Sequence, residues 1–226
     1  MKSFLYNHNF NRLIIMFMAI QLLSLAVIFY SQEEQEVIDA EDNVDVDLAE
    51  LEIFAIPNNS IHFITGASKS LTPNARDLCA VESAALHNPY TPVLLSMMGS
   101  NKMYPSRIVK HLVANYDNIR FRKFDVLETI EGTMLDGWYQ RSGIPSSKFK
   151  FSYLSSIAKV ALLYKHGGWY INGDVIVLKS LENIGYDNVI SLQYEDHEPN
   201  SVTDAFMKFE PKHPFLDDYL REIMNR

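Results

Sequence analysis

From Ile61 onward the chain alternates short β-branched or aromatic runs with stretches whose apolar residues recur at helical spacing, and this alternation constrains the fold more than any other feature. "IHFIT" (61–65), "TPVLLSMM" (91–98) and "NIRFRKF" (118–124) read as strands. "NARDLCAVESAALHN" (74–88), with Thr72 and Pro73 as its start signal, and "SRIVKHLVANY" (106–116) read as helices. A less regular helical pattern covers 133–140. A longer one covers 150–165, with Ile157, Val160, Ala161, Leu163 and Tyr164 on its inner face, and it stops at Gly167-Gly168. "WYI", a turn at Asn172-Gly173, "DVIVL" (174–178) and strand patterns near 189–192 and 205–209 follow. Strand–helix repetition of this kind predicts an α/β domain with a mostly parallel sheet and helices on both faces.

The segment ahead of this domain has a different character. Residues 13–30, "LIIMFMAIQLLSLAVIFY", are apolar apart from Gln21 and Ser24, which is about the shortest length that spans a bilayer. Lys2, His8 and Arg12 precede the run, and Glu33, Glu34 and Glu36 follow it. The positive-inside rule therefore predicts a cytosolic tail (1–12), a signal anchor (13–30) and a translocated remainder, in preference to a cleaved signal peptide. Ten acids and no base lie between Glu33 and Glu52, so 31–57 is expected to be a solvated stem. Those ten acids against Lys2 and Arg12 account for the whole net charge of −8, leaving 53–226 balanced, with nothing electrostatic to attract nucleic acid. Cys79 is the only cysteine and is expected to be a small buried hydrophobe in "LCAVESAAL". Asn58-Asn59-Ser60 is a glycosylation sequon where stem meets domain.

Within the domain, 58–226, the chemistry concentrates at Asp174. In open α/β sheets ligands sit beyond the carboxyl ends of the strands, and Asp174 follows "GGWYI" across a turn whose glycine allows a close backbone approach. Apolar runs on either side are expected to fix the carboxylate in place. Hard cations such as Mg²⁺ and Mn²⁺ bind through one or two carboxylates plus substrate phosphates, which makes Asp174 a metal candidate. A turn-forming or capping Asp is the ordinary alternative. His62, His166 and His197 have no metal-ligand spacing, and "EDHE" (195–198) reads as a solvated loop. Trp169 is placed either to stack on a base or to pack in the core.

"SSIAKVALLYKHGGWYINGDVIVLKSL", with "LCAVESAALHNP" before it and "AFMKFEPKHPFL" after it, resembles the α1,4-glycosyltransferases of the lactosylceramide 4-α-galactosyltransferase group. The group's usual form is Ser-Asp-x-x-Arg, then Gly-Gly-x-Tyr-x-Asp-x-Asp and an apolar strand. The resemblance covers about 61–226. It implies a GT-A-like, Rossmann-type fold, a UDP-sugar donor such as UDP-galactose, Mn²⁺, α1,4 transfer to a glycosphingolipid or related glycan acceptor, and a single-pass type II Golgi membrane protein with its domain in the lumen. It also allows association with itself or with other Golgi transferases. The family continues past the point corresponding to Arg226 with a Trp-Gly-x-x-Gly-Pro segment.

Carried over position by position, the resemblance makes Asp174 the metal ligand. It makes Asn172, Ser156, Lys159 and Tyr170 donor-binding positions, and it assigns no catalytic residue. Three of these depart from the family form: Asn172 and Ser156 stand where Asp is usual, and Lys159 stands for Arg. Asn keeps an acceptor oxygen but loses the charge, Ser is shorter, and Lys lacks the guanidinium fork. Each lost charged hydrogen bond costs on the order of 1.5–3 kcal/mol. The expectation is a hexosyltransferase; the alternative is an impaired relative that serves as a partner or scaffold.

Overall fold

The fold comes from a computed structural model that describes residues 49–50, 55–65, 72–98, 102–195 and 198–225. In chain order these form β1 (Ala49–Glu50), β2 (Ile61–Thr65), α1 (Ala75–His87), β3 (Val93–Met97), β4 (Lys102–Met103), α2 (Arg107–Asn115) and β5 (Ile119–Lys123). Then come α3 (Val126–Ile130), α4 (Trp138–Arg141), α5 (Lys150–His166), β6 (Gly168–Ile171), β7 (Val189–Glu195), β8 (Glu198–Phe209) and α6 (Pro214–Asn225). β1 and β4 pair as a separate antiparallel ribbon. The other six strands form one sheet in the order β5-β3-β2-β6-β8-β7. Its first four strands are parallel, and β8 runs antiparallel to both β6 and β7.

The period-2 alternation of the strands builds two cores. Ile61, Phe63, Val93, Leu95 and Ile119 point to one face and pack with Leu78, Val81 and Ala85 of α1 and Leu112 of α2. Tyr170, Met207 and Phe209 point to the other, against Leu154, Ile157 and Ala161 of α5 and Leu216 and Leu220 of α6. Helices thus cover both faces, as the alternation predicts. The junction between α5 and β6 depends on Gly168, whose φ is +92° and where a Cβ would lie 2.2 Å from the Ser60 carbonyl oxygen. Only glycine combines that backbone with so close an approach of β6 to β2.

The chain winds outward from β2 through β3 to β5, then returns across β2 to β6. This creates a topological switch point between β2 and β6, the place where open α/β sheets bind ligands.

Several expectations need correction. Residues 174–178 are not a strand, because both edges of β6 are already taken by β2 and β8. The segment runs along α1 instead: the Val177 amide donates to Ser83 Oγ at 3.0 Å and the Leu181 amide to Asn88 Oδ1 at 2.8 Å. Val177 is buried, while Leu178 is 75% exposed. Cys79 is exposed rather than buried, since α1 turns Leu78, Ala80, Val81, Ala84 and Ala85 inward. The N-cap of α1 is Asn74 rather than Thr72. The helix expected over 133–140 contracts to α4, and Asp125 caps an additional short helix, α3. The hairpin strands β7 and β8 are longer than their sequence patterns. α6 went unread, although Leu216 and Leu220 have helical spacing and Pro214 opens the helix. The expected anchor and most of the stem lie outside the described residues. Among the described residues no helix is long and apolar enough to cross a membrane.

Candidate functional site

A cleft of about 540 Å³ opens at the switch point, lined by residues 74–77 at the start of α1 and residues 172–174 after β6. Strand β6 is wholly buried and carries the chain to the sheet edge, where the Asn172 amide donates to the Ala205 carbonyl of β8 at 2.8 Å. The Val175 amide then bonds the Asn172 carbonyl at 3.1 Å, closing a turn with Gly173 and Asp174 at its tip. Asp174 is exposed and faces the cleft, and it caps no local amide among the described residues. Gly173 is required by contact: a Cβ there would lie 2.1 Å from Asp77 Oδ1. The close approach that its presence implies is therefore to a second carboxylate.

Asp77 is held from two elements. Its Oδ2 accepts from Thr65 Oγ1, at the end of β2, at 2.7 Å and from Asn74 Nδ2 at 2.8 Å. Asn74 in turn accepts from the Asp77 amide at 2.9 Å, so the cap of α1 also fixes the acid. The second oxygen, Oδ1, remains against Gly173 at the cleft.

Behind the turn lies Tyr170, 2% exposed, with its hydroxyl donating to Asn172 Oδ1 at 2.9 Å. Burial first, and then the nearby carboxylates of Asp204, Asp174 and Asp77, push the phenol further above its ordinary pKa; a hydrogen bond with Ser155 acts in the opposite direction. The hydroxyl stays protonated and locks the Asn172 side chain. Lys159, on α5, is 8% exposed, sits 5.7 Å from the centre of the Tyr170 ring and pairs with Asp204 at 2.5 Å.

The structure therefore brings Asp174, Asn172, Tyr170 and Lys159 together, with two differences from the expected roles. Tyr170 is buried support for Asn172, so its ring is not open to a ligand. Ser156 is exposed on α5 and does not line the cleft; its neighbour Ser155 makes the contact with Tyr170. Trp169 packs in the core against Phe206, with ring centres 5.0 Å apart. The sequence reading missed Asp77, Thr65, Asn74, Ser155 and Asp204. Asn74 and Asp77 have the spacing of a helix cap, but nothing in it places them opposite residue 173, and Asp204 has no local signal at all.

Two carboxylates and an amide oxygen around an open cleft suit a hard cation. Among the described residues no group of three or more His, Cys, Asp or Glu forms a metal cage. A cation at Asp174 and Asp77 would thus fill its shell with phosphate oxygens and water, the ordinary mode for Mg²⁺-like ions bound with nucleotides.

This mixed α/β architecture is that of a glycosyltransferase. It superposes on the structure of PaToxG glycosyltransferase with a TM-score of 0.53 at 14% identity, covering 84% of this chain and 69% of that one. Residues 74–191, just over half of the chain, match the model for the glycosyltransferase sugar-binding region containing DXD motif, and the chain belongs to that family. It is 31% identical over 165 residues to lactosylceramide 4-alpha-galactosyltransferase of Rattus norvegicus, covering 72% of this chain and 44% of that protein. It is 29% identical over 157 residues to human alpha-1,4-N-acetylglucosaminyltransferase, covering 66% and 43%. The chain thus spans less than half the length of these relatives.

Proposed function

We propose that the chain holds a UDP-sugar together with a divalent cation, Mn²⁺ by preference, in the cleft at Asp174 and Asp77, as the donor-binding part of a hexosyltransferase. The observation that carries this reading is the cleft itself: two carboxylates set at the switch point of a glycosyltransferase fold, within the stretch that matches the sugar-binding family. In detail, the donor is UDP-galactose, and the hexose passes in α1,4 linkage to a glycosphingolipid or related glycan. The site of action is the lumen of the Golgi, with the protein held by a type II anchor at 13–30. The names of the relatives and the charge pattern around the apolar run support these details.

Each residue then has a defined task. Asp174 presents its exposed carboxylate to the cation, and Asp77 supplies a second anionic oxygen across Gly173, replacing part of the charge absent at Asn172. Tyr170 fixes Asn172, whose amide group faces the sugar–ribose side of the donor. The bound cation would neutralise the charge that develops on the departing diphosphate. Arg76, on the cleft rim, is placed to meet phosphate oxygens.

A second reading, donor binding with little turnover, is favoured by one feature. Asn172 Oδ1 and the Lys159 ammonium are both engaged inside the protein, by Tyr170 and Asp204. Transfer of radiolabelled galactose from UDP-galactose to lactosylceramide by the full chain, with Mn²⁺ present, separates the two. The proposal predicts incorporation that disappears in Asp174→Ala. Metal-dependent donor binding without incorporation supports the second reading, and absence of both contradicts the donor site.

A further inference from the structure

A second cavity, of about 350 Å³, lies between the β7–β8 hairpin and α6 and backs onto the donor cleft. Its lining combines Gln193, Thr203 and Asp204 with Phe215 and Tyr219. Phe215 is 44% exposed, but its ring is not loose: it stacks on the buried Phe209 with centres 5.4 Å apart and planes 6° apart. Tyr219 meets the same ring at 6.3 Å and 54°. One face of Phe215 is thus fixed against the core while the ring borders the groove. Across the groove, Lys159 holds the Asp204 carboxylate at 2.5 Å from one side. A carboxylate has more acceptor sites than one ammonium fills, so Asp204 retains the capacity to bond a ligand.

A rigid aromatic plate facing a held carboxylate and a primary amide is the chemistry that recognises a hexose. The ring of a pyranose has an apolar C–H face suited to an aromatic surface and a rim of hydroxyls that donate to carboxylate and amide oxygens. The groove is also within the ordinary size range for small-molecule sites. Its position is informative as well. Asp204 precedes Ala205, whose carbonyl receives the Asn172 amide, so the groove and the donor cleft lie on either side of the same stretch of sheet edge.

We propose that this groove is a saccharide subsite for the acceptor, taking one hexose of a neutral glycan with its C–H face on Phe215 and its hydroxyls on Asp204 and Gln193. The assignment to the acceptor rests on the donor reading above; the recognition of a saccharide does not.

The test is saturation-transfer-difference NMR on the full chain in detergent, with methyl β-lactoside as the probe. Wild type, Phe215→Ala, Gln193→Ala and Tyr90→Ala are compared, and thermal unfolding confirms that each is folded. Tyr90, 92% exposed, does not line the groove and serves as the control. The expected result is saturable transfer to the sugar ring protons. Binding should be weaker by roughly fivefold or more in Phe215→Ala and Gln193→Ala, and unchanged in Tyr90→Ala. A lactoside that fails to bind, or that binds all four proteins alike, overturns the proposal. Calorimetry with UDP and Mn²⁺ on the wild type is read separately. Phe215-dependent lactoside binding without UDP binding leaves a saccharide site and removes the donor reading, whereas UDP binding without lactoside binding does the reverse.

Discussion

At the scale of single residues, the cleft depends on a contact that a side chain would abolish. A Cβ at position 173 would lie 2.1 Å from Asp77 Oδ1, so Gly173→Ala must move either the turn that carries Asp174 or the carboxylate opposite it. The expected outcome is a folded protein whose affinity for Mn²⁺ with UDP falls by about tenfold or more, as a charged ligand contact is lost. Mn²⁺ titration followed by electron paramagnetic resonance reads this directly, and an unchanged affinity would show that the two carboxylates do not share a ligand. The Asp174 position was legible in the sequence because glycine, apolar strand and acid follow each other without a break. Asp77 was not, since its partnership with Gly173 joins residues that meet only after β2 and β6 pair.

Two elements, β2 and α5, carry consequences for stability. His62 projects from β2 into the core beneath α5; burial, then the positive fields of His166 and Arg122, lower its pKa to about 3, although a hydrogen bond involving the Gly167 backbone pulls the other way. The unfolded chain therefore binds a proton at His62 in mild acid that the folded chain refuses. Stability is fully present above the unfolded value of 6.5 and is lost progressively as pH falls towards 3. Between pH 7 and pH 5 this amounts to about 2 kcal/mol. His166 adds to the trend in the same direction, its pKa being lowered to about 4 by burial, Lys165 and Arg122. Denaturant midpoints measured across that range should fall with acidification, with a shallower slope in His62→Leu; a flat profile in the wild type would contradict the burial of a neutral imidazole. At the end of α5, Gly168→Ala would put a Cβ 2.2 Å from the Ser60 carbonyl oxygen at a φ of +92°. It should destabilise the protein by more than about 2 kcal/mol, visible as a lower unfolding temperature. An unchanged temperature would mean that β6 can shift away from β2 at no cost.

The helix stop at Gly167-Gly168 and the strand before Asn172 were readable because the residue types allow few other backbones. The fate of 174–178 was not. Its β-branched run has the composition of a strand, but strand formation requires a free sheet edge, and β8 arrives from thirty residues later in the chain to occupy it. Cys79 failed for a related reason: its neighbours are apolar on both sides, and only the rotation of α1 on the sheet decides which of them face inward. Lys159 was assigned to the donor by position, yet its partner, Asp204, could only be found from the folded hairpin.

For the whole molecule, the parallel half of the sheet fixes where chemistry can occur, and the charge distribution agrees with it. The stem acids account for the net charge, so the folded part carries no broad field, and its reactivity is confined to the few carboxylates around Tyr170. The central claim is that a cation and a nucleoside diphosphate meet at Asp174. Calorimetric titration of the full chain with UDP, with and without Mn²⁺, tests it most directly when run beside Asp174→Ala. The account predicts UDP binding that requires Mn²⁺ and weakens by about 10- to 100-fold in the variant. UDP binding of equal strength in both proteins, or independent of the metal, would contradict it.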